Sequence, residues 1–291
     1  MTMVTVASPG PAGWPDRRAC VVGLLLVSAV CRRGLPLRSE AVVVRSPEGF
    51  AEAVRTYRFE AVQLDQASVA AAARTLAETG LLLVGEPHGV SETPAVVCAL
   101  IAALGIRAVG FEWSHDELDG HVRRSLASGS FDFHDYWALP ESSELFAGDG
   151  RITAGHFALL ERLRAEDLLD QLILYDRLDP EPTPEWNVRD REMAERLLTI
   201  WDDRQALLVL TGAFHAQTTP LVDGEPMGRH LAKARPGLEP AMLDYAEGTC
   251  WSRGTIHDVS GPVPSAPITL ALPRATPAVV PATRGTAQEQ A

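Results

Sequence analysis

The sequence predicts an α/β fold: one domain with a central, largely parallel sheet flanked by helices. Three observations predict it. Residues 81–113 (LLLVGEPHGVSETPAVVCALIAALGIRAVGFEW) read as strand, polar turn, helix and strand, in about 30 residues, the size of a parallel crossover. Apolar strands recur at Leu169–Tyr175 and Leu207–Leu210, and each ends in polar residues. Helical periodicity fills the stretches between them. In such sheets ligands sit past the carboxyl ends of the strands, so the active site is expected there.

Each element has its own signal. From Ser46 to Glu78 the pattern is helical, with Phe50, Ala53 and Val54, then Val69, Ala72, Ala73 and Leu76, at helix spacing; Gly80 closes the second helix. Leu81–Val84 is the first strand and stops at Gly85. Thr93 is expected as an N-cap with Pro94 at the first helical position, and Val96, Val97, Leu100, Ile101 and Leu104 repeat up to a C-capping Gly105. Arg107–Phe111 is the next strand, ended by Glu112. A helix is expected from Asp116 to Ala127. Residues 128–153 lack clean periodicity; a connection of that length is either a lid or binding loop, or an excursion packed by its own aromatics. His156–Leu163 is helical, and Leu169–Tyr175 is a strand ending in Asp176 and Arg177.

Pro180, Pro182 and Pro184 mark a loop. The following helix carries Trp186, Met193, Ala194, Leu197, Leu198 and Trp201 on one face. Arg189 and Asp190 lie beside that face at the helix start, where a charged pair needs partners. Leu207–Leu210 precedes Thr211-Gly212-Ala213-Phe214-His215. Met227–Ala234 is a further helix, Ala241–Tyr245 a fifth strand, and Ile268–Leu272 a further candidate strand.

The ends read differently. Residues 1–45 are expected to be a non-core extension, residues 46–258 the α/β domain, and residues 259–291 a Pro/Ala-rich segment, mostly disordered from Pro273. Ala19–Cys31 is apolar but too short to span a bilayer. It has the length of a signal-peptide core behind Arg17 and Arg18, yet Ser28-Ala29-Val30-Cys31 is a poor cleavage site. Three readings are open: a weak secretion signal, a dispensable N-terminus with synthesis starting near Val42–Val44, or an extra buried element. The second is preferred, and with it a cytoplasmic location and no stable membrane anchor. Cys20, Cys31, Cys98 and Cys250 form no Cys-x-x-Cys pair and are expected to be unpaired thiols in a reducing compartment.

Composition excludes some partners. With 26 Lys and Arg against 38 Asp and Glu, the net charge is −12, which argues against nucleic acid and against an anionic membrane surface. The expected partner is a small-molecule substrate; the oligomeric state is left open.

Two Gly-x-x-His turns follow apolar strands: Gly85-Glu86-Pro87-His88 and Gly212-Ala213-Phe214-His215. Glycine is expected there to let the backbone turn sharply. With Glu86 and Glu112, the two histidines form a four-residue candidate site. Such a set has two uses. His88, His215, Glu86 and Glu112 could ligate a divalent transition metal with an open position. Or His88 is a general base oriented by a carboxylate. His115, His134, His156, His230 and His257 lack this context and are expected at the surface or at caps, with His115 in reserve because it closely follows Glu112.

In four ordered motifs the chain resembles the superfamily of erythromycin-esterase-like, ChaN-like and TraB/Tiki proteins: GEPHG with Glu92 after it, the strand-end glutamate of GFEW, RDREMAERLL, and the histidine of LTGAFHA. The resemblance covers roughly residues 60 to 250 and implies a parallel α/β fold. By that resemblance, erythromycin esterases hydrolyse a macrolide lactone with a histidine base, Tiki-type proteins are metal-dependent proteases built on two Gly-x-x-His motifs, and ChaN-like proteins are associated with haem iron uptake. Arg189 matches the family arginine. Departures are visible. The Gly85–His88 spacing is one residue shorter than is usual in the esterases. Tiki proteins usually lack Glu86. A long helical insertion for a macrolide pocket is not identifiable.

The leading expectation is a hydrolase of a small-molecule ester, lactone or amide. His88, Glu86, Glu112 and His215 are its catalytic residues, and Arg189, Asp190, His115 and Asp176 bind substrate. Arg189 has a second reading, as the group that holds Glu86 or Glu112. One alternative is a haem- or metal-binding protein without catalysis, with Tyr136 as a haem ligand. The other is a tailoring enzyme of secondary metabolism, performing elimination or cyclisation at the same site.

Overall fold

The computed structural model describes residues 43–177, 186–222, 224–259 and 266–283. Expectations for residues 1–42 and 284–291 therefore fall outside the described residues. In chain order the elements are β1 (Val43–Val44), α1 (Pro47–Thr56), α2 (Gln66–Thr79), β2 (Leu81–Glu86), α3 (Thr93–Leu104), β3 (Ala108–Ser114), α4 (His115–Ser128) and α5 (Phe133–Trp137). After a 3-10 turn at Glu144–Phe146 come α6 (Ala154–Ala165), β4 (Gln171–Asp176), α7 (Trp186–Ile200), β5 (Leu207–Gly212), α8 (Met227–Ala234), β6 (Ala241–Tyr245), β7 (Thr249–Ser252), β8 (Thr255–Asp258), β9 (Ile268–Leu272) and β10 (Val280–Pro281).

Six strands form the central sheet in the order β4-β3-β5-β2-β6-β9, every pair parallel. The central strands β2, β3 and β5 are buried on both faces, whereas the edge strand β9 exposes Thr269 and Ala271, and the side chains divide by alternation. Leu82 and Val84 of β2, Val109, Phe111 and Trp113 of β3, and Leu208 and Leu210 of β5 pack with α1 to α6. Leu81 and Leu83, Ala108, and Leu207 and Val209 pack on the other face with Met193, Ala194 and Leu197 of α7 and Met227 and Leu231 of α8. Complete burial of one such side chain contributes about 1.5–3 kcal/mol. The sheet is therefore a rigid base for whatever its carboxyl edge carries.

The α/β class, the parallel sheet and the flanking helices agree with the sequence reading. Gly80 and Gly105 close α2 and α3 in the left-handed conformation, and β6, β9 and α8 have the expected bounds.

Other expectations are corrected. Thr93 is the first residue of α3 rather than its cap, and its hydroxyl shares a hydrogen bond with that of Tyr245. β3 does not stop at Glu112 but runs to Ser114, with a register shift against β4 beyond Phe111. The segment after Pro273 is not simply a tail: beyond β9, the expected candidate strand, which adds to the sheet, β10 pairs with β1. Glu92 fastens this segment, its carboxylate accepting from the Thr276 N–H at 2.8 Å and the Thr276 hydroxyl at 2.7 Å. Thus Val43–Val44, outside the expected 46–258 domain, also belong to the fold. The hairpin β7–β8 had no sequence signal.

Candidate functional site

Both Gly-x-x-His turns reach the carboxyl edge, because β2 and β5 are neighbours in exact register, with Gly85 beside Thr211 and Glu86 beside Gly212. The two glycines are not there for a sharp turn. Neither lies in the left-handed region, and both sit inside their strands. Their reason is space. A Cβ on Gly85 would lie 2.3 Å from Met242 Sδ, and one on Gly212 would lie 2.8 Å from His88 Nε2. The His88 ring thus rests on the bare backbone of the neighbouring strand.

Alternation places the two glutamates on opposite faces. Glu86 shares the face of Leu82 and Val84, toward α6; Glu112 shares the face of Ala108, toward α7. His88, just past the edge, touches both. Its Nδ1 lies 3.2 Å from Glu86 Oε1 and its Nε2 lies 3.9 Å from Glu112 Oε2. From the next strand, His215 points Nε2 at Glu112 Oε1, 3.5 Å away, and its Nδ1 is 2.8 Å from Asp190 Oδ1. The site is a symmetric chain: Glu86–His88, Glu112, His215–Asp190. Each imidazole has a carboxylate behind it, and both present Nε2 to Glu112. Glu86, Glu112 and Asp190 are buried, while the His88 side chain is 20% exposed and is the open member.

Glu112 is held from every side. Oε2 accepts from the Thr211 hydroxyl at 2.6 Å and the Gly212 N–H at 2.8 Å. Oε1 accepts from Arg189 Nη2 at 3.2 Å and lies 3.6 Å from Arg151 Nη1. Burial alone would raise its pKa, but His215, Arg151, His88 and Arg189 together hold the carboxyl well below the usual range. For His88, burial pushes the pKa down, and the hydrogen bond to Glu86 with the charges of Glu112 and Glu86 outweighs it, so the imidazole titrates above an ordinary histidine.

The structure redistributes the expected substrate-binding residues. Arg189 holds carboxylates: it donates to both oxygens of Asp176, at 3.0 and 2.5 Å, and to Glu112, not to Glu86. Asp176 is buried and accepts from Arg189 and from Arg151 Nη1, the latter at 2.8 Å. Asp190 is completely buried; its Oδ1 accepts from the N–H of Met227, the first residue of α8, at 2.6 Å and faces His215 Nδ1, so it orients that imidazole. His115 opens α4, pairs with Asp116, and shares no hydrogen bond or ion pair with the histidine–carboxylate chain among the described residues. Tyr136 is buried among Phe131, Phe133 and Phe157, which removes it as a haem ligand.

Sequence reasoning missed Arg151 and Glu144. Arg151, from the 128–153 segment, donates to Asp149, Glu144 and Asp176. Glu144 accepts from the Ser114 N–H at 2.5 Å, and burial foremost raises its pKa to about 8 against the pull of Arg151. The segment therefore does two things: its aromatics bury themselves against α6, and its second half sends an arginine to the sheet edge. The available signal was an arginine beside Glu144 and Asp149 in a long aperiodic stretch. His156 was also misread as a surface or capping residue; it is buried, with its ring against Phe111 and Trp113.

The donor set does not fit a divalent metal. Both Glu112 oxygens are taken by donors, two guanidinium groups stand within 3.6 Å of Oε1, and among the described residues no group of three His, Cys, Asp or Glu side chains is arranged to hold an ion. Cys98 and Cys250 are free buried thiols.

No protein-family profile matches the sequence, and no curated protein matches it. Solved structures do resemble the fold. A crystal structure of a protein from Bacillus cereus aligns with a TM-score of 0.50 at 9% identity, over 81% of this chain and 100% of that one. RRSP, a MARTX toxin effector domain from Vibrio vulnificus, aligns with a TM-score of 0.43 at 18% identity, over 66% of this chain and 38% of that one. ChaN of Campylobacter jejuni, described with cofacial heme binding, aligns with a TM-score of 0.36 at 13% identity, over 60% of this chain and 85% of that one. At these identities the likeness to the Bacillus cereus protein is one of fold. Among the described residues no helix is long and apolar enough to cross a membrane.

Proposed function

We propose that this protein is a hydrolase of a small-molecule ester, lactone or amide, with His88 as a metal-free general base, as in the erythromycin-esterase-like branch that its motifs resemble. The observation that carries the reading is the pair of carboxylate-backed imidazoles whose Nε2 atoms converge on one buried carboxylate. Glu86 accepts the Nδ1 proton of His88 and leaves Nε2 as the basic nitrogen. Nε2 takes a proton from water as its oxygen bonds to the carbonyl carbon, and the carbonyl becomes an oxyanion. His215, held through Nδ1 by Asp190, turns Nε2 to the same carboxylate as His88 does, beside the developing charge. The tetrahedral intermediate then breaks its bond to the leaving group, which receives the proton from His88. Glu112 stabilises the imidazolium form of His88, and Arg189 with Arg151 keeps Glu112 ionised.

The test is turnover of a panel of aryl esters, lactones and aryl amides by wild type and His88→Ala, before and after chelation. General base catalysis contributes roughly 10²–10⁴-fold. The expected result is a loss of that size in His88→Ala and no effect of chelation. Full turnover by His88→Ala, or activity restored only by added metal, would overturn the mechanism.

A further inference from the structure

Several buried polar atoms near the site have no hydrogen-bond partner among the described residues, Asp190 Oδ2 and Ser114 Oγ among them, and two can be complementary. Glu86 Oε2 is an acceptor without a donor, and His156 Nε2 is the other. The hydrogen bonds of Thr153 leave His156 Nε2 able to act as a donor. The Thr153 hydroxyl oxygen caps α6 by accepting from the His156 N–H at 3.3 Å, and its own proton can be given to His156 Nδ1, 3.0 Å away. With Nδ1 accepting, the neutral ring carries its hydrogen on Nε2. Burial pushes the His156 pKa down, which keeps the ring neutral.

The sheet places these atoms together. Phe111, Leu210 and Val84 form one row across β3, β5 and β2, because Phe111 and Val84 both pair with Leu210. Two residues further along β2, Glu86 pairs with Gly212, which contributes no side chain; Trp113, beyond the β3 register shift, packs in the same cluster as Phe111 and Val84. His156 packs on this cluster from α6, its ring centroid 5.6 Å from Phe111 and 6.2 Å from Trp113. Glu86 and His88 are both within electrostatic reach of it.

We propose that His156 is a positioning residue that donates its Nε2–H to Glu86 Oε2 across one buried water, fixing the carboxylate that orients His88. A buried carboxylate oxygen without a donor is costly, and a water with polar partners on both sides removes that cost. The line from α6 to the reacting nitrogen is then Thr153, His156, Glu86, His88. The proposal rests on the Glu86–His88 pairing of the proposed reaction, so the test reads His88 directly.

The experiment is an NMR titration of His88 in the full chain for wild type, His156→Phe, His156→Gln and Glu86→Gln. Phe keeps the packing on Phe111 and Trp113 but donates nothing; Gln restores a donor. The expected result is a His88 pKa lowered by at least about half a unit in His156→Phe, roughly threefold in proton affinity, recovery in His156→Gln, and a larger fall in Glu86→Gln. If Glu86→Gln lowers the His88 pKa and His156→Phe does not, the role of His156 is overturned and the Glu86–His88 pairing stands. If neither variant moves it, the pairing falls and the role of His156 with it.

Discussion

Replacing Glu112 by Gln keeps the shape of the side chain and removes its charge. In the wild type that charge sits in a buried cage. Thr211 and Gly212 donate to Oε2, Arg189 donates to Oε1, and Arg151 and the Nε2 atoms of His88 and His215 lie 3.5–3.9 Å away. The amide oxygen can retain the Thr211 and Gly212 bonds. The NH₂ group must then face Arg189, Arg151 and His215, where acceptors are needed. Breaking one partner of a buried ion pair costs about 3–5 kcal/mol, a large part of a total stability of about 5–15 kcal/mol. Asp176 still neutralises both arginines, which places the expected loss at about 3 kcal/mol, the lower end of that range. The assay is urea unfolding of both proteins at several pH values. The wild-type Glu112 pKa is depressed on folding, so its contribution is complete above the unfolded value of about 4.3 and is lost as pH falls through the folded value. The gap between wild type and Glu112→Gln should therefore be widest near neutral pH and close in strong acid. A gap under about 1 kcal/mol at neutral pH, or one that grows on acidification, would refute the caged carboxylate.

Two further predictions follow from the same geometry. Gly212→Ala puts a methyl group where His88 Nε2 lies; displacing the ring by even about 1 Å should cost on the order of 10²-fold in kcat while thermal unfolding shifts only modestly, and unchanged turnover would contradict the seating of His88 on Gly212. Glu144 titrates at about 8 in the fold, above its unfolded value, so wild-type stability should fall with rising pH from about 4.3 up to that point, by at most about 1.4 kcal/mol per pH unit. Glu144→Gln should remove this slope, and identical slopes in the two proteins would contradict a protonated Glu144.

How much of this was legible in the sequence depended on the range of the interaction. The β2–α3–β3 unit was readable because strand, cap and helix signals are local. The meeting of His88, His215, Glu86 and Glu112 at one edge was readable because a parallel sheet brings all carboxyl ends to the same side. The division of Glu86 and Glu112 between opposite faces followed from alternation, but only once β3 was known to continue past Glu112. The roles of Gly85 and Gly212 were misassigned because turning and close approach leave the same residue in the sequence. What Asp190, Asp176 and Arg189 hold depends on partners 13 to 77 residues away, from Asp176 with Arg189 to Arg189 with Glu112, which no local pattern encodes. Arg151 was hidden for the same reason, inside a segment with no period. β9 looked like the last element before a tail because its neighbours are rich in Pro and Ala, although Glu92 ties that segment to the start of α3.

The central claim is that His88, its pKa raised by its neighbours and its ring oriented by Glu86, is the base. The measurement that tests it most directly is the pH dependence of kcat/KM for wild type and Glu86→Gln on a substrate the wild type hydrolyses. Base catalysis requires neutral His88, and its raised pKa places the acid limb of the wild type above the ordinary histidine value of about 6.5. Glu86→Gln removes both the hydrogen bond to a charged partner and its field while burial remains, so the account predicts a limb moved to lower pH by about one unit, with a lower plateau. A limb that stays in place in Glu86→Gln, or a rate that falls as His88 loses its proton, would contradict it.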